Sequence, residues 1–119
     1  MILIIPIAVV LLILAYIIFV TIMRMIVKEV THTTDRPWYM KVYMRFSHGV
    51  ATTTPWRTIY YKYERDLSNE RLRKHELCHI DQIEREGWIV QGFKYTYYQI
   101  TVGYEKNPYE LEARKAELL

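Results

Sequence analysis

His75, Glu76 and His79 are the residues of this 119-residue chain whose types and spacing could do chemistry. They stand in His75-Glu76-Leu77-Cys78-His79, which reads H-E-x-x-H. Two histidines four apart lie on one face of a helix, so both imidazoles can reach a single metal ion. The glutamate is turned to the side of that face, where it can touch a metal-bound water without taking a coordination position. A hydrolytic Zn2+ site takes three protein ligands and keeps one position open. The third ligand must come from elsewhere. The source is the acidic helix start Asn107-Pro108-Tyr109-Glu110-Leu111-Glu112-Ala113-Arg114, with Glu110, Glu112 and the nearby Glu105 as carboxylates on offer. Cys78 is a zinc ligand type, but it is turned about 100° around the helix from His79 and reads as a small buried residue. His32 and His48 read as loop histidines.

These residues need elements to hold them. Ser68 or Asn69 can cap a helix that starts near Glu70, runs through the motif to about Glu86 and is ended by Gly87. Leu72, His79, Ile80 and Ile83 make its inner face, while Arg71, Arg73, Lys74, Glu84, Arg85 and Glu86 make a solvated one. Upstream, Arg57 to Tyr63 is the clearest strand, with Thr58, Tyr60 and Lys62 on one face and Ile59, Tyr61 and Tyr63 on the other. As an edge strand it could pair with an extended peptide. Val50 to Thr54 is β-prone, Ser47-His48-Gly49 is a turn signal, and the aromatic run Trp38 to Phe46 reads as a further strand. Downstream, Trp88 to Ile100 reads as a helix interrupted by Gly92. A loop leads from Val102 to Pro108, and Asn107 caps a last helix with Pro108 in its first turn.

Ile2 to Met23 contains no charged residue. As a helix those residues span roughly 33 Å, enough to cross a bilayer core. The run is too long for a cleaved secretory signal, and no small-x-small site follows it. Arg24 and Lys28 follow at once, so the positive-inside bias puts the rest of the chain in the cytoplasm. Residues 24–37 read as a polar juxtamembrane connection, and 38–119 as one small domain. All side-chain charge lies beyond residue 23. The net charge of +3 is too small and too mixed to imply nucleic acid, but it would help hold the domain against an anionic leaflet. Trp38, Trp56 and Trp88 suit either the bilayer interface or a core. The single cysteine excludes an intrachain disulfide.

H-E-x-x-H followed by a later helix bearing Glu110-Leu111-Glu112-Ala113 resembles the gluzincin group of zinc metallopeptidases. Over residues 57–116 the succession of strand, motif helix, aromatic helix and Gly103-Tyr104-x-x-Asn107-Pro108-x-Glu110-x-Glu112-Ala113 is similar to small bacterial and phage zincin-like proteins. The resemblance implies an α+β zincin-like domain behind one membrane span, with zinc held by His75, His79 and Glu110. It implies a peptide or protein substrate, with Glu76 as the base that takes a proton from the metal-bound water. Tyr104 and Tyr109 flank the third-ligand region and are candidate oxyanion donors. Many gluzincins carry an aspartate four after the ligand glutamate; here that position is Arg114. Asp81, Gln82 and Glu112 are the candidates to orient the histidines in its place. Other outcomes of the same pattern are a zincin-like domain kept for binding or structure, and an outward-facing hydrolase of cell-wall peptides.

Overall fold

The computed structural model describes residues 4–47 and 49–119. The expected start of the span at Ile2 and the turn at His48 lie outside them. Ile4–Ile26 forms one helix, α1, long and apolar enough to cross a membrane. There follow a strand β1 (Thr31–Thr33), a helix α2 (Trp38–Phe46), and strands β2 (Ala51–Thr53) and β3 (Thr58–Tyr61). Helices α3 (Glu70–Glu86), α4 (Trp88–Thr101) and α5 (Pro108–Ala116) complete the chain, with 3-10 turns at Glu64–Ser68 and Tyr104–Lys106. The architecture is α+β, mostly helical with one small sheet.

The sheet order is β1-β3-β2. β1 runs parallel to β3 with Thr31 opposite Thr58, and β2 runs antiparallel with Thr53 opposite Ile59. β1 thus lies inside the segment 24–37, which by composition reads as a connection. All four residues of β3 are buried. The alternation of its side chains explains why. Tyr60 joins Val20, Met40, Met44 and Trp56 on one side, while Ile59 and Tyr61 join Ile80 on the other. β3 is therefore the central strand, with neighbours on both edges, and cannot be the strand that pairs with a peptide. Among the described residues β2 is the edge strand beside α3.

Trp38–Phe46 is a helix, not the expected strand. Its aromatic and β-branched residues favour a strand locally, but its buried residues, Met40 and Met44, are four apart. That spacing places both on one helical face against Val20 and Tyr60. Tertiary packing overrides local preference here. Pro37 immediately precedes the helix, where a missing N–H costs nothing.

α3 is the central helix, packed on β2, α4 and α5. Asn69 caps it by accepting from the Leu72 N–H at 3.2 Å. Gly87, at φ 89°, ends α3 and opens α4 in a conformation that favours glycine. α4 continues through Gly92 without the expected interruption. Asn107 is fully buried and caps α5 by accepting from the Tyr109 N–H at 3.0 Å. Its amide also donates to the Tyr95 carbonyl at 3.3 Å and to Gln99 Oε1 at 3.2 Å, which fastens α5 to α4.

α1 is joined to this body along its C-terminal half. Val20 is fully buried, with Met23 and Val27 packed on the same cluster. Phe19 stacks edge-on against Tyr39 and Trp56, and Tyr16 against Trp88. Glu84 on α3 pairs with Arg24 at 3.1 Å and with Arg57 at 3.1 Å. Arg57 also donates to the Val27 carbonyl at 3.0 Å. It does so from φ 63°, a left-handed conformation that costs a side-chain-bearing residue roughly 1–2 kcal/mol.

Candidate metal centre

His75 and His79 are both buried on one face of α3, with ring centroids 5.0 Å apart. The start of α5 brings Glu110 onto that face. Its carboxylate lies 2.9 Å from His75 Nε2 through one oxygen and 3.1 Å from His79 Nε2 through the other. A nitrogen of each histidine and an oxygen of Glu110 fall within 4.8 Å of one another, and the three could hold a metal ion. Glu112, the other carboxylate of α5, is turned away. It accepts from Arg85 at 3.3 Å and lies half-exposed. Glu105 offers no side-chain oxygen to the cluster; its backbone carbonyl accepts from Arg114.

The far sides of the imidazoles are also occupied. His79 Nδ1 lies 2.9 Å from Gln82 Oε1, and His75 Nδ1 lies 3.1 Å from Glu117 Oε1. The orientation of Gln82 is dictated by chemistry. Its amide nitrogen donates to the Tyr109 carbonyl at 3.0 Å and to Glu112 at 3.2 Å, so its oxygen must face His79. Of the expected orienting residues, Gln82 touches a histidine directly and Glu112 acts by holding Gln82. Asp81 stands on the surface, paired with Arg85. Arg114 is directed at the Tyr104 ring and takes no part.

Each imidazole therefore faces an acceptor at both nitrogens. Two states satisfy that arrangement. Either both rings are protonated side by side against a buried carboxylate, or the Nε2 lone pairs are turned to a cation. The spacing suits either, since 2.9 and 3.1 Å are also ordinary hydrogen-bond lengths. Ligands about 2 Å from a tetrahedral ion are about 3.3 Å from one another, close to the Nε2–carboxylate distances of 2.9 and 3.1 Å. Proton affinities in the metal-free cluster favour the first, with protonated rings against the carboxylate. Burial pulls both histidines down, yet hydrogen bonds and charge from Glu110 raise them above their ordinary value. Burial pushes Glu110 up, yet His75, His79 and Tyr95 together hold it well below the carboxylate range.

Glu76 is buried beside the cluster. The Thr53 hydroxyl of β2 donates to its carboxylate at 2.6 Å, which ties the motif helix to the edge strand. The Tyr95 hydroxyl, from α4, donates to Glu110 Oε1 at 2.8 Å. Tyr104 lines the same cleft half-exposed, with burial and the neighbouring Glu110 charge pushing its phenol up to about 12. Tyr109 is buried under the cluster and gives Gln82 its backbone carbonyl. The cleft has a volume of ≈ 1010 Å³ and runs between β2, the histidine face of α3 and the Gln91–Tyr95–Gln99 face of α4.

Cys78 is only half-buried and donates to Glu112 at 3.5 Å, and burial with the Glu112 charge pushes its thiol up to about 11. His32 pairs with the Tyr61 hydroxyl at 2.8 Å, away from the cluster. Sequence reasoning missed Tyr95, Glu117 and Thr53. Glu117 stands seven after Glu110, two helical turns along the same face, and that period is a readable signal. Gln91, Tyr95 and Gln99 stand at i, i+4 and i+8 and so share one face of α4, which is another. Thr53 sits in a run of threonines with nothing to distinguish it. No family model, curated protein or solved structure matches the chain.

Proposed function

We propose that this chain is a membrane-anchored, zinc-dependent metallopeptidase of gluzincin type with a zincin-like domain. The observation that carries the reading is the convergence of His75 Nε2, His79 Nε2 and Glu110 while both Nδ1 atoms face acceptors. Such an arrangement matches zinc ligands fixed in one tautomer. When bound there, zinc would polarise a peptide carbonyl and lower the pKa of a water toward neutrality. The protein's own part follows from position. Glu76, held by Thr53 at the cleft wall, accepts a proton from water and returns it to the leaving amine. β2 offers an edge to an extended peptide, and its side chains alternate between the sheet and the cleft. Tyr104 offers a phenol O–H to developing negative charge on the opposite side. Arg24 and Lys28 after the span support a cytoplasmic domain through the positive-inside bias.

Metal content of the purified protein and its variants tests the site. The wild type should hold about one zinc per chain, lost in His75→Ala, His79→Ala and Glu110→Ala but kept in Glu112→Ala. Glu76→Gln should keep the metal and lower peptide cleavage by about 10²-fold or more. Retained cleavage in Glu76→Gln defeats the mechanism. Zinc bound with no cleavage by the wild type favours a binding role for the domain.

A further inference from the structure

α2 and α4 both flank the C-terminal half of α1, and each carries an unpaired apolar stripe on the side away from the core. On α2 the stripe is Trp38, Val42 and Phe46, spaced by four, with Trp38 76% and Phe46 80% exposed. On α4 it is Ile89, Phe93, Tyr97 and Ile100, with Phe93 79% and Ile100 80% exposed. A small water-soluble domain rarely leaves two such stripes uncovered. α1 explains them. Its own outer face stays bare where the domain leans on it, with Ile18, Ile22 and Ile26 exposed opposite the packed Val20 and Met23. The apolar run continues to Met23, and Arg24 is its first charge. A span that ends at Arg24 keeps Tyr16 to Met23 in the bilayer, a depth of roughly 10 Å. Tyr16 and Phe19 are the residues that stack on Trp88 at the start of α4 and on Tyr39 of α2. A domain packed on that stretch cannot clear the membrane.

Charge agrees with this placement. Arg36, Lys41, Arg45 and Lys62 surround a pocket of ≈ 390 Å³ beside α2. Arg36, Lys41 and Arg45 pair with no carboxylate among the described residues, and Arg36 Nε is buried without a hydrogen-bond partner. Lys62 meets only the Ser47 carbonyl, at 3.1 Å. Cations without counter-ions at the edge of an apolar stripe match anionic headgroups above acyl chains. We propose that the domain is seated in the membrane interface, with the stripes of α2 and α4 in the acyl region and the Arg36–Lys41–Arg45–Lys62 pocket on an anionic lipid headgroup. This rests on the reading of α1 as a membrane span.

The test uses the full chain with Cys78→Ser, reconstituted in phosphatidylcholine vesicles with or without phosphatidylglycerol. A spin label is placed singly at Leu14→Cys, Phe46→Cys, Phe93→Cys or Glu64→Cys. Depth is read as accessibility to oxygen relative to a water-soluble nickel chelate. The labels at 46 and 93 should exceed the one at 64 several-fold and fall between it and the deeper label at 14. Labels at 46 and 93 in water with 14 in lipid overturn the seating and leave the span intact. A label at 14 in water overturns both. In a Lys41→Gln/Arg45→Gln protein the ratio at 46 should fall in the phosphatidylglycerol vesicles only. An unchanged ratio there overturns the headgroup contact. An equal response to inorganic phosphate in neutral vesicles reassigns the pocket to a free anion and overturns it too.

Discussion

The two nitrogens of His79 are assigned by neighbours, and Gln82 makes the assignment. Its amide is held by the Tyr109 carbonyl and Glu112, so its oxygen can only accept from His79 Nδ1. Gln82→Leu keeps the volume and removes the acceptor. Zinc affinity should fall about 10–100-fold, measured by competition with a chelator. Glu117→Gln, on the exposed side of His75, should cost less. The same contacts give the metal-free protein a pH signature. His75 and His79 stand above the ordinary 6.5, so their charged forms stabilise the fold below that pH and the contribution is lost as pH rises through the raised values. Glu110 stands below the ordinary 4.5, so its contribution is present above that pH and is lost on acidification. Metal-free stability should peak on the mildly acidic side. Zinc requires unprotonated rings, so the stability lost to a chelator should grow as pH rises. Thermal unfolding with and without chelator checks this; an effect of chelator that shrinks with pH contradicts it.

At the scale of elements, helices and strands differ in which substitutions hurt. In a strand, Trp38, Met40, Val42, Met44 and Phe46 share one face; in α2 only Met40 and Met44 are buried. Met44→Ala should cost about 2–5 kcal/mol, while Val42→Ala should cost little. Equal losses for the two would restore the strand. Asn107→Ala should cost about 1–2 kcal/mol in denaturant unfolding, because a buried cap is lost along with its tie to α4. Much of this layer was legible. Asn69, Gly87, Asn107 and Pro108 are local signals whose physics needs no partner; they set both ends of α3 and the start of α5, while α5 stops at Ala116, short of the C-terminus expected for it. α2 was not legible, because its helical spacing is written against Val20, nearly twenty residues earlier. The place of β3 in its sheet was hidden for a similar reason. β1 is three residues of a polar segment, and only pairing with Thr58–Tyr60 makes it a strand. At the metal centre the motif named its histidines by spacing. Tyr95 and Glu117 arrive from two other helices, and no spacing within the motif reports them.

Across the whole molecule, the one described helix long and apolar enough to cross a membrane also contributes to the core of the domain. Val20 belongs to the same cluster as Trp56 and Tyr60, so α1 and the sheet share one core. Glu84 then bridges Arg24 in the last turn of α1 and Arg57 just before β3, from the helix that also carries His75 and His79. A tethered enzyme sweeps a volume set by the slack in its linker, and chooses targets by what it recognises within that volume. Here there is no slack to set one. Glu84 lies two turns of α3 beyond Glu76, so in the proposed peptidase the Glu76 carboxylate would keep a fixed altitude relative to the last turn of α1. Such a mount measures. In the proposed membrane-anchored peptidase a bond would be within reach only if its own chain brought it to that altitude, and neighbouring bonds a few residues higher or lower would pass untouched whatever their side chains.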